Sequence, residues 1–188
     1  MEDQQLIAAC KKQDINAQRK LYEKFAPQML GLCLKYCNGS DAAQDMLHDG
    51  FIKIFTQIST YSGRGSFEGW MRRIFVNTAL EHFRKEKQRY LIITDIDDAD
   101  IQVTDENLER IINDDITEEI LLAMIQEMPH GYRTVFNLYV FEDMTHKQIA
   151  EKLEIKVNAS RSQYSRAKSY LKNKINSYLA NINESYKR

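Results

Sequence analysis

The sequence predicts an all-α protein: two small helical domains joined by an acidic linker, the second containing a helix-turn-helix. Three observations carry this reading. Only two prolines and seven glycines occur among 188 residues. Apolar residues recur at the helical period, with little alternation of period two. The charges also fall in blocks: residues 1–90 hold 14 Lys/Arg against 10 Asp/Glu, residues 91–119 hold 1 against 11, residues 120–144 hold 1 against 3, and residues 145–188 hold 10 against 3. A formal net charge of −1 therefore conceals two basic lobes around an acidic run. That pattern suits two nucleic-acid-binding modules with a repelling tether between them. The predicted boundaries are 1–90, 91–115 for the linker, and 116–188.

The elements follow in order. A short helix opens the chain around Gln4–Lys12. From Ala17 to Tyr36, Leu21, Phe25, Met29, Leu32 and Tyr36 share a stripe, with Pro27 kinking or restarting the helix. Asn38-Gly39-Ser40 closes that element and opens the next, Asp41 to Ile58. Its buried stripe is Ala43, Leu47, Phe51, Ile54 and Ile58, and its other face shows Asp45, His48, Asp49 and Lys53. The loop Tyr61-Ser62-Gly63-Arg64-Gly65-Ser66 leads into a helix from Phe67 to about Arg89 that buries Trp70, Ile74 and Thr78. Residues 91–115 lose periodicity, place Asp95, Asp97, Asp98 and Asp100 close together, and read as a tether. From Ile116, Ile120, Ala123 and Met124 mark one buried face, and Val135, Leu138 and Tyr139 another after Pro129.

The most informative stretch is Met144–Lys172. Thr145 with Gln148 three residues on forms a capping box, and Met144 with Ile149 a hydrophobic staple. Ile149, Ala150 and Leu153 supply the buried stripe of this helix, Glu154-Ile155-Lys156 form a tight turn, and Asn158 caps a second helix with Tyr164, Ala167 and Leu171 inward. Arg161, Ser162, Ser165, Arg166, Lys168, Ser169 and Lys172 then point outward. Cations mixed with small hydroxyls at the width of a major groove suit phosphates and base edges, while a helical hairpin with a solvated basic face is the plainer alternative.

A second signal lies in the 61–89 region, where Tyr61, Phe67, Trp70, Phe75 and Phe83 alternate with Arg64, Arg72, Arg73, Arg84, Lys85, Lys87 and Arg89. Unpaired bases need stacking faces and phosphates need charge, so this composition suits separated strands. In so small a domain Trp70 and Phe75 also read as core, which leaves Tyr61 and Arg64 better placed for a ligand.

Other chemistries find little support. Cys10, Cys33 and Cys37 are odd in number with no C-x-x-C spacing, and the N-terminus does not resemble a signal peptide, so a reducing cytoplasm is expected. Cys33 and Cys37 share a helix face but read as small core thiols rather than metal ligands. No metal or cofactor is expected. His48, His82, His130 and His146 are scattered, with no nucleophile elbow and no phosphate-binding glycine motif, which argues against an enzyme. No apolar run reaches membrane-spanning length.

Three motifs in this order resemble the extracytoplasmic-function sigma factors of bacterial RNA polymerase, over nearly the whole chain. DAAQDMLHDGFIKIF, Asp41 to Phe55, resembles the family's helix that docks on the clamp of the polymerase largest subunit. SFEGWMRRIFVNTALEHFRK, Ser66 to Lys85, is similar to its promoter-melting helix, with Trp70, Arg73, Ile74, Asn77 and Arg84 at matching positions. The C-terminal segment resembles the domain that reads the minus-thirty-five element. The resemblance implies that Asp41, Asp45, His48 and Asp49 face core polymerase. It places Tyr61, Arg64, Phe67, Trp70, Arg73, Asn77, Arg84 and Lys85 at minus-ten DNA, with the 61–67 loop capturing a flipped base. Ser160, Arg161, Ser162, Ser165, Arg166 and Lys168 would face minus-thirty-five DNA. Implied partners are promoter DNA, the clamp and the flap of the second-largest subunit, and an anti-sigma factor, with the free chain a monomer. The linker would thread the polymerase cleft or merely solvate. The chain departs from the family at Glu154, where the turn usually carries Gly, and at Asn158-Ala159, where the second helix usually opens with Gly-Thr. An operator-binding dimer with its own helix-turn-helix is the alternative.

Overall fold

A computed structural model describes residues 2–90 and 116–185, with side chains described at 3–85 and 116–182. The predicted linker, and the side chains of Lys87 and Arg89, lie outside the described residues. Those described form helices with no strand among them: α1 (Glu2–Lys11), α2 (Ile15–Tyr36), α3 (Ser40–Gln57), a 3₁₀ turn (Ile58–Thr60), α4 (Phe67–Tyr90), α5 (Glu118–Gln126), α6 (His130–Val140), α7 (His146–Leu153) and α8 (Val157–Ser185). The chain divides into two compact units, residues 1–82 and 83–188.

In the first unit α2 begins at an Asp14 cap, whose carboxylate accepts from the Ala17 amide at 3.0 Å. The helix continues through Pro27 rather than restarting there. Proline removes one amide donor, and because Pro27 is exposed, the carbonyl left over one turn earlier can turn to water. Leu21, Met29, Leu32 and Tyr36 are buried as the stripe predicts, whereas Phe25 is half-buried with its ring edge-on to Phe67 at 5.9 Å. All five predicted core positions of α3 are buried. The close approach of α3 and α4 depends on Gly50: a Cβ there would lie 2.1 Å from the Phe75 ring. Phe75 is fully buried and meets Phe51 edge-on at 5.6 Å. α4 buries Met71, Ile74, Phe75, Val76, Thr78, Ala79 and Leu80, but Trp70, expected inside, is only half-buried.

In the second unit Met124, Ile125, Met128, Phe136, Ala167, Leu171 and Ile175 form the core, with Ile116 beside them. Thr117 caps α5, and the buried Arg133 guanidinium donates to the Gln126 carbonyl at its other end, where the helix dipole favours a cation. Tyr170 and Lys174 of α8 reach Glu127, donating to its carbonyl at 3.0 Å and its carboxylate at 2.6 Å. Two expected core positions are exposed. Ala123 lies opposite the stripe set by Met124, Ile125 and Met128. Tyr139, 38% exposed, lies beside His146 and Tyr164 at the edge of the unit. Asn158 does not cap α8, because the helix already begins at Val157.

Candidate nucleic-acid interface

The helix-turn-helix is built from local rules. The Thr145 amide donates to Gln148 Oε1 at 2.8 Å, and the Gln148 amide donates to Thr145 Oγ1 at 3.3 Å, so the reciprocal cap is complete. The turn places Glu154 in the left-handed region, φ 54° and ψ 48°, where its amide donates to the Ala150 carbonyl. The next amide, of Ile155, donates to the same carbonyl at 3.0 Å. The turn thus keeps the geometry a glycine would adopt, at a strain of about 1 kcal/mol.

On α8, Arg161 is exposed, and Ser162, Ser165, Arg166 and Lys168 are half-buried on the outer faces of the helix. Lys168 Nζ lies 5.3 Å over the Tyr164 ring. Ser160 is a correction: it is fully buried, and its hydroxyl lies 3.0 Å from His146 Nδ1, so it fastens the first turn of α8 to the start of α7 rather than meeting a ligand. The His146 ring also stacks on Tyr139 at 4.7 Å. Burial, and then the Arg161 charge, hold the His146 imidazole below its ordinary range, so it favours the neutral form.

In the first unit, Ser66 starts α4 by accepting the Gly69 amide at 3.1 Å. Gly63 and Gly65, with φ of 80° and 77°, let the loop before it turn tightly. Tyr61, Phe67 and Trp70 form one aromatic cluster: Phe67 and Trp70 stack at 5.5 Å, and the Tyr61 ring lies 5.1 Å from Phe67 and 5.6 Å from Trp70. Phe67 is a second correction. Only 8% exposed, it backs the cluster, in which Tyr61 and Trp70 are half-buried. Trp70, Arg73 and Asn77 fall on one stripe of α4, the last two exposed, as is Arg64 in the loop; Arg84 and Lys85, exposed farther along the same helix, belong to the second unit. The site therefore offers stacking faces at one end of a polar and cationic stripe.

A third surface lies on α3, where Asp41, Asp45, His48 and Asp49 are all exposed. Asp49 lies 3.3 Å from His82 Nε2, and Lys53 pairs with Glu81 at 2.6 Å, so this face is tied to α4 by charge as well as by packing. Sequence reasoning missed Ile52, which is 63% exposed in the same stripe. Its spacing of three and four residues from Asp49 and His48 was the available signal. An apolar side chain amid acidic ones suits the centre of a protein contact.

Cys37, expected as a small core thiol, is only half-buried. Cys10 and Cys33 are buried, and burial pushes the Cys33 thiol up to about 12, far from a thiolate at neutral pH. Among the described residues no cluster of three or more His, Cys, Asp or Glu could hold a metal, and no helix is long and apolar enough to cross a membrane.

Residues 21–89 match the Sigma-70 region 2 family, and residues 118–171 match Sigma-70, region 4. The chain is 29% identical over 174 residues to the RNA polymerase sigma-H factor of Pseudomonas aeruginosa, covering 89% of this chain and 90% of that protein. It is 25% identical over 182 residues to the ECF RNA polymerase sigma-E factor of Haemophilus influenzae, covering 93% and 96%, and 23% identical over 183 residues to that of Escherichia coli, covering 93% and 95%. With both sigma-70 regions in order along one chain and such relatives spanning most of its length, the chain belongs to the extracytoplasmic-function sigma factor family.

Proposed function

We propose that this sigma factor carries core RNA polymerase to its promoters in the bacterial cytoplasm and opens the duplex there, without catalysing a reaction itself. The observation that supports it best is the pairing of a region 2 match bearing the aromatic and cationic stripe of α4 with a region 4 match bearing the basic face of α8. In this reading residues 1–90 bind polymerase and the minus-ten element, residues 91–115 link, and residues 116–188 read the minus-thirty-five element and meet the flap of the second-largest subunit. The α3 stripe of Asp41, Asp45, His48, Asp49 and Ile52 docks on the clamp of the largest subunit, charge steering the encounter and Ile52 supplying apolar contact. Tyr61 and Trp70 stack on exposed bases, Arg64, Arg73, Asn77, Arg84 and Lys85 hold the neighbouring backbone, and the 61–66 loop receives a flipped base whose unstacking costs a few kcal/mol. Arg161, Ser162, Ser165, Arg166 and Lys168 face the upstream element. The free chain is monomeric, and an anti-sigma factor silences it.

The experiment is reconstitution with purified core polymerase. Stable binding, and specific transcription that is lost on Asp45→Lys with Asp49→Lys, is the expected result. No binding to core at low salt would remove the proposal, and a dimer that binds palindromic DNA without core would make the chain an independent regulator instead.

A further inference from the structure

We infer that Lys11 is a positioning residue for base selection at the minus-ten element, an inference that rests on the proposed role of the 61–66 loop. Lys11 ends α1, ten residues before the region 2 match begins at residue 21. Its ammonium donates to the Tyr61 carbonyl at 2.6 Å and lies 5.8 Å from the centre of the Tyr61 ring. The helix that carries it is anchored: Ile7 and Cys10 are buried, and α1 packs on both α2 and the 3₁₀ turn just before the loop.

The loop is organised through Tyr61. Its amide donates to the Ile58 carbonyl at 3.2 Å, its hydroxyl donates to the Gly65 carbonyl at 2.8 Å, and its ring lies against Phe67 and Trp70. Its carbonyl is the remaining polar group, and Lys11 takes it. Ser62 to Ser66 are exposed, and a Cβ placed on Gly63 or Gly65 would meet nothing within 4 Å, so the span between the two ends of the Tyr61–Gly65 bond has no packing of its own. Such a loop holds its shape only through its attachments. Selecting one base over another requires an ordered pocket, because a loop free to reshape accommodates a wrong base as readily as the right one, whereas a loop held in shape must distort to take it, and selectivity is that difference in affinity. Fixing Tyr61 from outside the loop supplies that order. Lys11 thereby acts on selectivity through Tyr61, without itself touching DNA.

The test uses the full chain with core polymerase and compares the native protein, Lys11→Met and Lys11→Arg. Preferred promoters are selected from a library randomised at both elements, and core affinity is measured in parallel. The expected result for Lys11→Met is a loss of about threefold in discrimination at one or more minus-ten positions, the size of one solvent-exposed hydrogen bond. Minus-thirty-five preference and core affinity stay native, and Lys11→Arg, which keeps a cationic donor, restores selectivity. Native selectivity in Lys11→Met overturns the inference and leaves the loop reading standing. Loss of core binding or of the thermal transition in Lys11→Met also overturns it, since the residue would then serve the fold. A native protein indifferent to every minus-ten base removes the loop reading itself.

Discussion

Single residues show where sequence reasoning holds and where it fails. Glu154 stood out through the resemblance, whose turn usually carries Gly, and its φ of 54° lies in the left-handed region that glycine favours. Relief of that strain, partly offset by the greater freedom of glycine when unfolded, should make Glu154→Gly more stable by about 0.5 kcal/mol in chemical denaturation. An unchanged or lowered midpoint would show that Glu154 contributes contacts of equal worth. Ser160 and Phe67 were misjudged for a common reason: hydroxyl and aromatic groups suit a ligand or a core equally, and helical spacing cannot tell which way a first-turn residue is drawn. His146 draws Ser160 inward, and Trp70 covers Phe67. For His146 the folded protein favours the neutral ring over the charged one, relative to an ordinary pKa of 6.5. Its contribution to stability is therefore complete above about pH 6.5 and is lost as the pH falls through the depressed folded value. Thermal midpoints measured from about pH 7.5 down to pH 5.5 should fall, and His146→Gln should flatten that slope; the same slope in both proteins would assign the titration elsewhere.

Helices were easier to read than their rotation. The Thr145 capping box marked the start of α7 and the buried stripe of α3 followed from its apolar period, whereas the caps at Asp14 and Thr117 went unread. The stripe of α5 was misplaced by a position because its run of apolar residues, Ile120 to Ile125, has no polar residue to orient it. Asn158 was taken for a cap since it is a good one, yet α8 begins a residue earlier without using it. Gly50 could not be recognised at all, because its meaning lies in Phe75, twenty-five residues away in sequence and in the next long helix. Gly50→Ala forces a methyl group against a rigid ring, so either the ring or the helix must shift. The expected cost is about 1–3 kcal/mol, read from denaturant unfolding, with helix content preserved. A neutral result would mean that α3 and α4 can separate without penalty.

At the scale of the molecule, the neutral total charge hid the organisation, and the block pattern exposed it. Both lobes present cations at the surfaces proposed for DNA, so the holoenzyme's affinity for promoter DNA should fall as salt rises. Replacing exposed Arg161 by Ala should weaken binding and reduce the slope of log affinity against log salt by about one unit, if its partner is a phosphate. A smaller loss that depends on the base pair, with the slope intact, would move Arg161 from backbone to base edge. The fold class and the order of modules were legible because each depends on local pattern. The ties between α3 and α4, Lys53 to Glu81 and Asp49 to His82, join residues distant in sequence and could not be read from it.

Phe75 occupies the space that any side chain at residue 50 would need, and the Lys53–Glu81 ion pair and the Asp49–His82 contact span the same pair of helices. Packing this tight compresses little, so a change that shifts one of these helices is felt by the other.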